Sequence, residues 1–309
     1  MLPSLHDLVQ FVPLGLAVGA VYGVSGVGIV VLYRTTGVLN FAYGAIGALG
    51  VFITYELIFK TSWCPNWLAY VVCVLFGGVL TLVYGLVFGR VFAARDPLVK
   101  AAATLGLTLV LLAIMSWTWP VNEVRLVPLP SDKWHHFGYQ VGDVRISWTK
   151  IIALLFAVGV TAGTTAFLRL TKLGTAMRSL ANDREITATL GVPVRRVEAA
   201  GWLGSGLVCG ASGLLLSGLI NSLEAVTLTF LVISSLAAAL IGRLQSLWVT
   251  LGAALVIGVV ESCLQAFTLW PTQSQPLAQY RAMTPFVLAI AALLWLGRRR
   301  ELTLSRAGH

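Results

Sequence analysis

Apolar runs, each long enough to cross a bilayer, follow one another along this chain, and they constrain its fold more than any other feature. A hydrocarbon core of about 30 Å takes roughly 20 residues of helix, and irregular backbone cannot face lipid because its polar groups would go unsatisfied. Nine such segments occupy 8–32, 38–58, 67–93, 98–119, 150–171, 198–220, 226–242, 246–268 and 282–297, each bounded by a charge, a proline or a polar cluster. The expected fold is all-α: a polytopic helical bundle in a membrane, forming a single transmembrane domain over 1–309 with about nine apolar segments, eight to ten. Val226–Gly242 is short for a span, and Tyr22–Phe41 is interrupted by glycines and by Arg34. One or both are candidates for discontinuous segments that enter and leave from one side. Composition agrees: 58% of the 309 residues are hydrophobic and 11% charged, too few charges to cover a water-soluble surface. A soluble enzyme, a disordered chain and a nucleic-acid-binding domain are thereby excluded.

The charges punctuate the apolar runs instead of forming one basic face, so a net charge of +9 reports topology. If the N-terminus is outside and nine segments alternate, fifteen of the 21 basic residues share one side. They include Arg34, Lys100, the six between Arg169 and Arg196, Arg243 and Arg298–Arg300. By the positive-inside bias that side is cytoplasmic, together with the C-terminus and the 172–197 loop. The longest outer loop is 120–149. Met1–Gln10 carries no Lys or Arg ahead of the first apolar run, so no cleaved leader is expected. Cys73, Cys209 and Cys263 lie inside apolar segments without metal-type spacing and read as small buried filler, and Cys64 lies between segments.

Gly15, Gly19 and Gly23 recur every fourth residue and form one smooth helical face on which another backbone can approach. Gly23-x-x-Gly26-x-Gly28 and Gly201-x-x-Gly204-x-Gly206 have nucleotide-loop spacing but no preceding strand, and no Gly-Lys pair exists to build a phosphate loop. The chain therefore has no ATP site of that type. His135-His136 lacks further ligands at metal spacing and reads as solvated loop histidines. No catalytic constellation and no metal site is expected. Glu56 sits near the outer end of the second segment and Glu261 well inside the eighth, where a carboxylate is costly and either functional or structural.

The loop Thr171–Val197 is far more polar than its surroundings and spells two short helices. Gly174 opens the first, with Met177, Leu180 and Ala181 on one face. Asp183 caps the second, of about Arg184–Leu190, closed by Gly191 and followed by Pro193. Such a pair, held between two spans, suits docking on a partner.

Gly174-Thr-Ala-Met-Arg178-Ser-Leu-Ala-Asn-Asp183, then Ala188-Thr-Leu-Gly191-Val and Arg196-Val197, resembles the cytoplasmic coupling loop of the permease subunits of bacterial ABC importers of the branched-chain amino acid (LIV) type. Leu39-Asn40-Phe41-Ala42-Tyr43-Gly44 is similar to that family's "INFAHGE" element, and Thr104-Leu-Gly106-Leu to its "TIGL" pattern. Leu251-Gly252-Ala-Ala-Leu-Val-Ile-Gly258-Val-Val-Glu261 is similar to its glycine-patterned eighth helix. There are departures: Tyr43 replaces the usual His, Ala45 the usual acid, and Leu240-Ile-Gly242-Arg243-Leu244-Gln-Ser246 the usual Leu-Gly-Gly-x-Gly-Ser.

The resemblance implies a permease that moves branched-chain amino acids or a related small polar solute across a bacterial inner membrane. It implies two cytoplasmic ATP-binding subunits that carry ATP and Mg, a second related permease or a second copy, and an extracytoplasmic solute-binding protein. This chain itself would bind no cofactor and no nucleic acid, and would contact lipid. Gly174, Met177, Arg178, Leu180, Ala181, Asp183, Leu190 and Gly191 would couple to the ATPases. Asn40, Phe41, Tyr43, Gly44, Thr104, Thr108 and Glu261 would line the substrate pathway, with a helix N-terminus freed near Asn40–Gly44 offering N–H donors. For each hydroxyl the competing reading is a bond to a backbone carbonyl of its own helix. The alternative function is an ion-coupled secondary transporter, which the scarcity of intramembrane acids disfavours.

Overall fold

The computed structural model describes residues 5–61, 65–92, 95–119, 127, 139–141, 144–220, 223–266, 283–292 and 294. The order is α1 (Leu5–Thr36), α2 (Tyr43–Lys60), α3 (Asn66–Val91), α4 (Pro97–Thr118), β1 (Tyr139–Val141), β2 (Val144–Ile146), α5 (Trp148–Leu170), α6 (Lys172–Asn182), α7 (Arg184–Thr189), α8 (Val194–Ile220), α9 (Ala225–Ile241) and α10 (Leu247–Ala266). Seven helices among the described residues are long and apolar enough to cross a membrane, and α9 is a shorter apolar helix. Residues 284–292 are helical within the last expected segment. The chain is thus a polytopic helical bundle. Its one sheet among the described residues is the antiparallel hairpin β1–β2, Tyr139 opposite Ile146, within the 120–149 loop. Most of that loop, with His135-His136, lies outside the described residues, as do Cys64 and the Arg298–Arg300 run.

The interruption expected between Tyr22 and Phe41 is narrower than the sequence suggests. Helix α1 continues through its glycines and Arg34 to Thr36, and only residues 37–42 are non-helical. Those glycines do not break the helix because they are consumed in packing. A Cβ on Gly15 would stand 2.6 Å from the Cα of Val259, and one on Gly19 2.7 Å from the Ala254 carbonyl oxygen. Helices α1 and α10 therefore run antiparallel with their backbones in direct contact. A second seam joins α3 to α8, where a Cβ on Gly77 would stand 2.6 Å from the Gly206 carbonyl oxygen, and a third joins α2 to α8 at Gly47 and Gly213. The buried core lies between these seams and includes Val21, Val27, Val30, Ile46, Phe52 and Leu216.

The α9–α10 turn is held by Arg243 N–H donating to Leu240 O and Leu244 N–H donating to Ala239 O, both at 2.8 Å. This geometry puts Arg243 and Leu244 at φ 54° each, the left-handed region where glycine is at ease and other residues are strained. The residues that stand here instead of glycines are the departure noted in the sequence. Arg34 Nη1 donates to Gln245 O at 3.2 Å and ties the end of α1 to this turn.

Two stability outcomes are expected, both measurable by unfolding followed through tryptophan fluorescence in detergent. Gly77→Leu, which forces a side chain into the α3–α8 seam, destabilises by about 3 kcal/mol, whereas Gly163→Ala, with open space at its Cβ position, is neutral or slightly stabilising. Arg243→Gly, at an exposed position, relieves its left-handed strain and stabilises by about 1 kcal/mol.

Candidate functional site

Between α1 and α2 the chain turns back along α1 before it becomes helical again. The ring of Tyr43 meets α1 at Gly28, nine positions before Gly37, or about 13 Å along the helix axis. Gly37, at φ +69°, makes the reversal. The Oγ1 of Thr36 accepts from Val38 N–H at 3.2 Å, and Asn40 Oδ1 accepts from Ala42 N–H at 3.0 Å, an Asx turn that leads into α2. From α4, Thr104 Oγ1 accepts from Phe41 N–H at 3.0 Å and lies within donating distance of Ala101 O, at 2.7 Å, and of Leu39 O, at 3.3 Å. One hydroxyl thereby holds the returning segment against α4.

This segment is internal. Asn40 is 3% exposed and Tyr43 1%, and Phe41 is half-buried. Gly44 presses on the backbone of Thr229 in α9, a contact that no side chain at position 44 would allow. No side chain caps α2, and its first helical bond runs from Ile46 N–H to Ala42 O. The N–H groups of Tyr43, Gly44 and Ala45 precede that bond and collect at a buried, electropositive helix end. The Nδ2 of Asn40 is also buried there with no hydrogen-bond partner.

Sequence reasoning brought Asn40, Phe41, Tyr43, Gly44 and Thr104 to one place, and the structure does likewise. Thr108 follows the competing reading: its hydroxyl donates to Thr104 O at 3.0 Å, so it serves its own helix. Glu261 is buried at 6% in α10, beyond the level where Gly258 meets Gly15. That level is about 20 Å along α1 from Gly28, so Glu261 does not join the Asn40 cluster. Glu56 pairs with Lys60 at 2.7 Å and accepts from Trp119 Nε1 at 2.7 Å.

The polar loop folds as two helices, with two corrections to its reading. Thr171, not Gly174, opens α6: its hydroxyl accepts from Gly174 N–H at 2.9 Å. Gly174 instead lies on the backbone of Phe167 and Leu168, where a Cβ would stand 2.5 Å from Leu168 Cα. The buried face of α6 is Gly174, Met177 and Leu180, while Ala181 is exposed because the helix rotates to bring the glycine inward. Asp183 caps α7 as expected, Oδ1 accepting from Ile186 N–H at 2.9 Å, and Gly191 closes it at φ +80°. Arg178 is exposed beside α6. Sequence reasoning missed the tie between α7 and α8, in which Arg184 Nη1 meets Glu198 Oε1 at 2.6 Å. Its only trace in the sequence is opposite charge fourteen positions apart. On the outer face of α7, Ile186 is 59% and Leu190 76% exposed.

Comparison with known proteins points in one direction. A family model described as the permease component of branched-chain amino acid transport systems matches residues 12–293. The chain is 26% identical over 282 residues to the probable branched-chain amino acid transport permease protein LivH of Methanocaldococcus jannaschii, covering 86% of this chain and 84% of that one. It is 22% identical over 295 residues to the high-affinity branched-chain amino acid transport system permease protein LivH of Escherichia coli K12, covering 91% of each. With the high-affinity permease protein BraD of Pseudomonas aeruginosa it shares 22% identity over 272 residues, 84% of this chain and 87% of the other.

The Thr104 clamp yields a stability test. Thr104→Val keeps the shape but leaves Phe41 N–H without its acceptor, a loss of about 1–3 kcal/mol in denaturant unfolding, whereas Thr104→Ser retains most of the stability.

Proposed function

The chain belongs to the permease components of branched-chain amino acid transport systems, and from that membership we propose that it is the translocating subunit of an ATP-driven importer. It is a transport protein embedded in the membrane by several spans, not an enzyme. The proposed cargo is a branched-chain amino acid or a related small polar solute. The proposed assembly adds two cytoplasmic ATPases, a second permease or second copy, and an extracytoplasmic binding protein. In this reading the 172–197 loop and the C-terminus face the cytoplasm, and the N-terminus and the 120–149 loop face outward.

The observation that carries the proposal is the α6–α7 pair. It is fixed to the bundle by Gly174, Met177 and Leu180 and by the Arg184–Glu198 ion pair, yet it leaves Ile186 and Leu190 exposed at a polar end of the molecule. Exposed apolar side chains on a rigid, capped element in water are what a protein partner covers. Motion of an ATPase docked there would be passed to α5 through Gly174 and to α8 through Glu198. The proposed pathway passes the Asn40–Gly44 turn, with Phe41, Tyr43 and Thr104 around it, because donors gathered at a buried helix end suit the carboxylate of an amino acid. Glu261 would serve a different level of that pathway.

Coexpression with the candidate ATPases, pull-down and uptake in energised vesicles test the coupling role. Ile186→Asp with Leu190→Asp is expected to abolish co-purification and to lower uptake more than about ten-fold, because two charges replace the apolar contact. Retained assembly would overturn the docking role, and an unchanged melting temperature would show that the variant is folded.

A further inference from the structure

A cavity of about 660 Å³ opens at the end of the bundle where α3 finishes and α4 and α8 begin. Its rim carries Lys100 from α4, Arg184 from α7, and Arg195 and Arg196 from α8. Against these four cations the lining carries one carboxylate, Glu198, which is paired with Arg184 and also attracts Lys100 and Arg195. The floor is aromatic. Tyr84 stacks on Phe88 with ring centroids 4.2 Å apart, and Trp202 meets Tyr84 edge-on at 5.8 Å. Lys100 is half-buried, while Arg195 and Arg196 are exposed where they line the cavity. A compact anion, at least doubly accepting, is the group this rim is built to hold.

What adjoins the cavity identifies the source of that anion. Helix α4 packs chiefly on α2 and α9 and only sparsely on α3 and α8, Leu107 reaching the cluster that holds Tyr84 and Trp202. On one side of the cavity Leu86, which also lines it, and Val79 are about half exposed, and on the other, along the face of α4 that carries Lys100 and Ala103, Val110 and Ile114 are exposed. Apolar surface therefore runs from the basic rim into the membrane zone on both walls. A soluble phosphate has no use for those walls, and an acidic protein segment would have to leave them bare. A basic pocket between transmembrane helices with apolar continuation matches a lipid that has a charged phosphate head and acyl chains.

We propose that this cavity is a binding site for one anionic phospholipid, its phosphate among Lys100, Arg184, Arg195 and Arg196 and its acyl chains along α3 and α4. The lipid would brace α7 and the start of α8 against α4, which packs only sparsely on them. The proposal rests on the cavity alone and stands whether or not α7 docks an ATPase.

The full-length chain is reconstituted in nanodiscs that contain phosphatidylglycerol and phosphatidylethanolamine, extracted, and weighed by native mass spectrometry to count retained lipid. Retention of phosphatidylglycerol over phosphatidylethanolamine is expected, with affinity about 30-fold weaker in Arg195→Gln/Arg196→Gln. Arg169→Gln/Lys172→Gln, the same charge change at exposed positions outside the cavity, is expected to retain it. Lys100→Gln, on the opposite wall, gives an independent reading should the double variant not fold, and a loss of several-fold is expected. Equal loss in the Arg169/Lys172 control would overturn the proposal in favour of diffuse attraction to the membrane surface. Equal retention of both lipids, binding of inorganic phosphate without any lipid, or unchanged lipid with loss of an acidic protein partner would overturn it too.

Discussion

Backbone touching backbone is the contact on which the rest of this structure depends. Between apolar helices in lipid no hydrophobic gain drives association, because lipid tails are as apolar as the side chains they replace. Packing then relies on dispersion at short range, and short range requires positions without a Cβ. Gly15 and Gly19 bring α1 onto α10, Gly77 and Gly206 bring α3 onto α8, and Gly47 and Gly213 bring α2 onto α8. Helices α1 and α8 become the two masts around which the others are arranged. Helices α4 and α5, whose Gly106, Gly159 and Gly163 meet nothing within 4 Å, keep most of their surface for lipid or for another subunit.

Once the masts are fixed, hydroxyl groups are settled by the helices that carry them. Thr54, Thr81, Thr108, Thr161 and Ser235 donate to carbonyls four residues earlier. Thr54 also lies 3.4 Å from Ala69 O of α3, and Thr104, which meets Ala101 O of its own helix, goes further. Thr104 reaches beyond its helix to the backbone of residues 39 and 41, and Asn40 keeps a buried amide donor without an acceptor. Burying such a donor costs free energy, and under the proposed function a solute would supply the missing acceptor.

The spans were legible because the bilayer imposes one length and one polarity on each of them. The α6–α7 pair was legible because capping chemistry is local: Asp183 and Gly191 do what their residue types favour at the two ends of α7. Long-range geometry was not. The choice of Gly174 over Ala181 for the inward face of α6 depends on how closely α5 approaches, and only Leu168 shows that. The continuity of α1 was hidden for the same reason, since a glycine that breaks a helix and a glycine that seats one read alike until the opposing backbone is seen. That Glu261 lies at a different level from Asn40 was not legible, because motif similarity along a chain carries no depth. The glycine pattern that surrounds it fixes α10 to the far part of α1, a distance of several turns from Asn40.

The departures from the family's pattern and the geometry meet at one end of the bundle. There the last turn of α1 carries Arg34, which holds the α9–α10 turn, and Thr35 beside it packs against Gly201 of α8. The same turn carries Arg243 and Leu244 in the left-handed region, a strain that glycines would have avoided. Helix α1 is thus tied at its end to α8 and to the α9–α10 corner, while the 37–42 segment just beyond it is tied through Thr104 to α4. Helix α4 lacks a glycine seam to either mast. A displacement of the mast pair relative to α4 must be absorbed in the few bonds around residues 36–42, where the unpartnered amide of Asn40 also lies. Under the proposed mechanism this is the shortest route from α7 to the solute: Glu198 moves α8, α8 carries the end of α1 through Thr35, and the turn between α1 and α2 is reshaped against a Thr104 that stays behind.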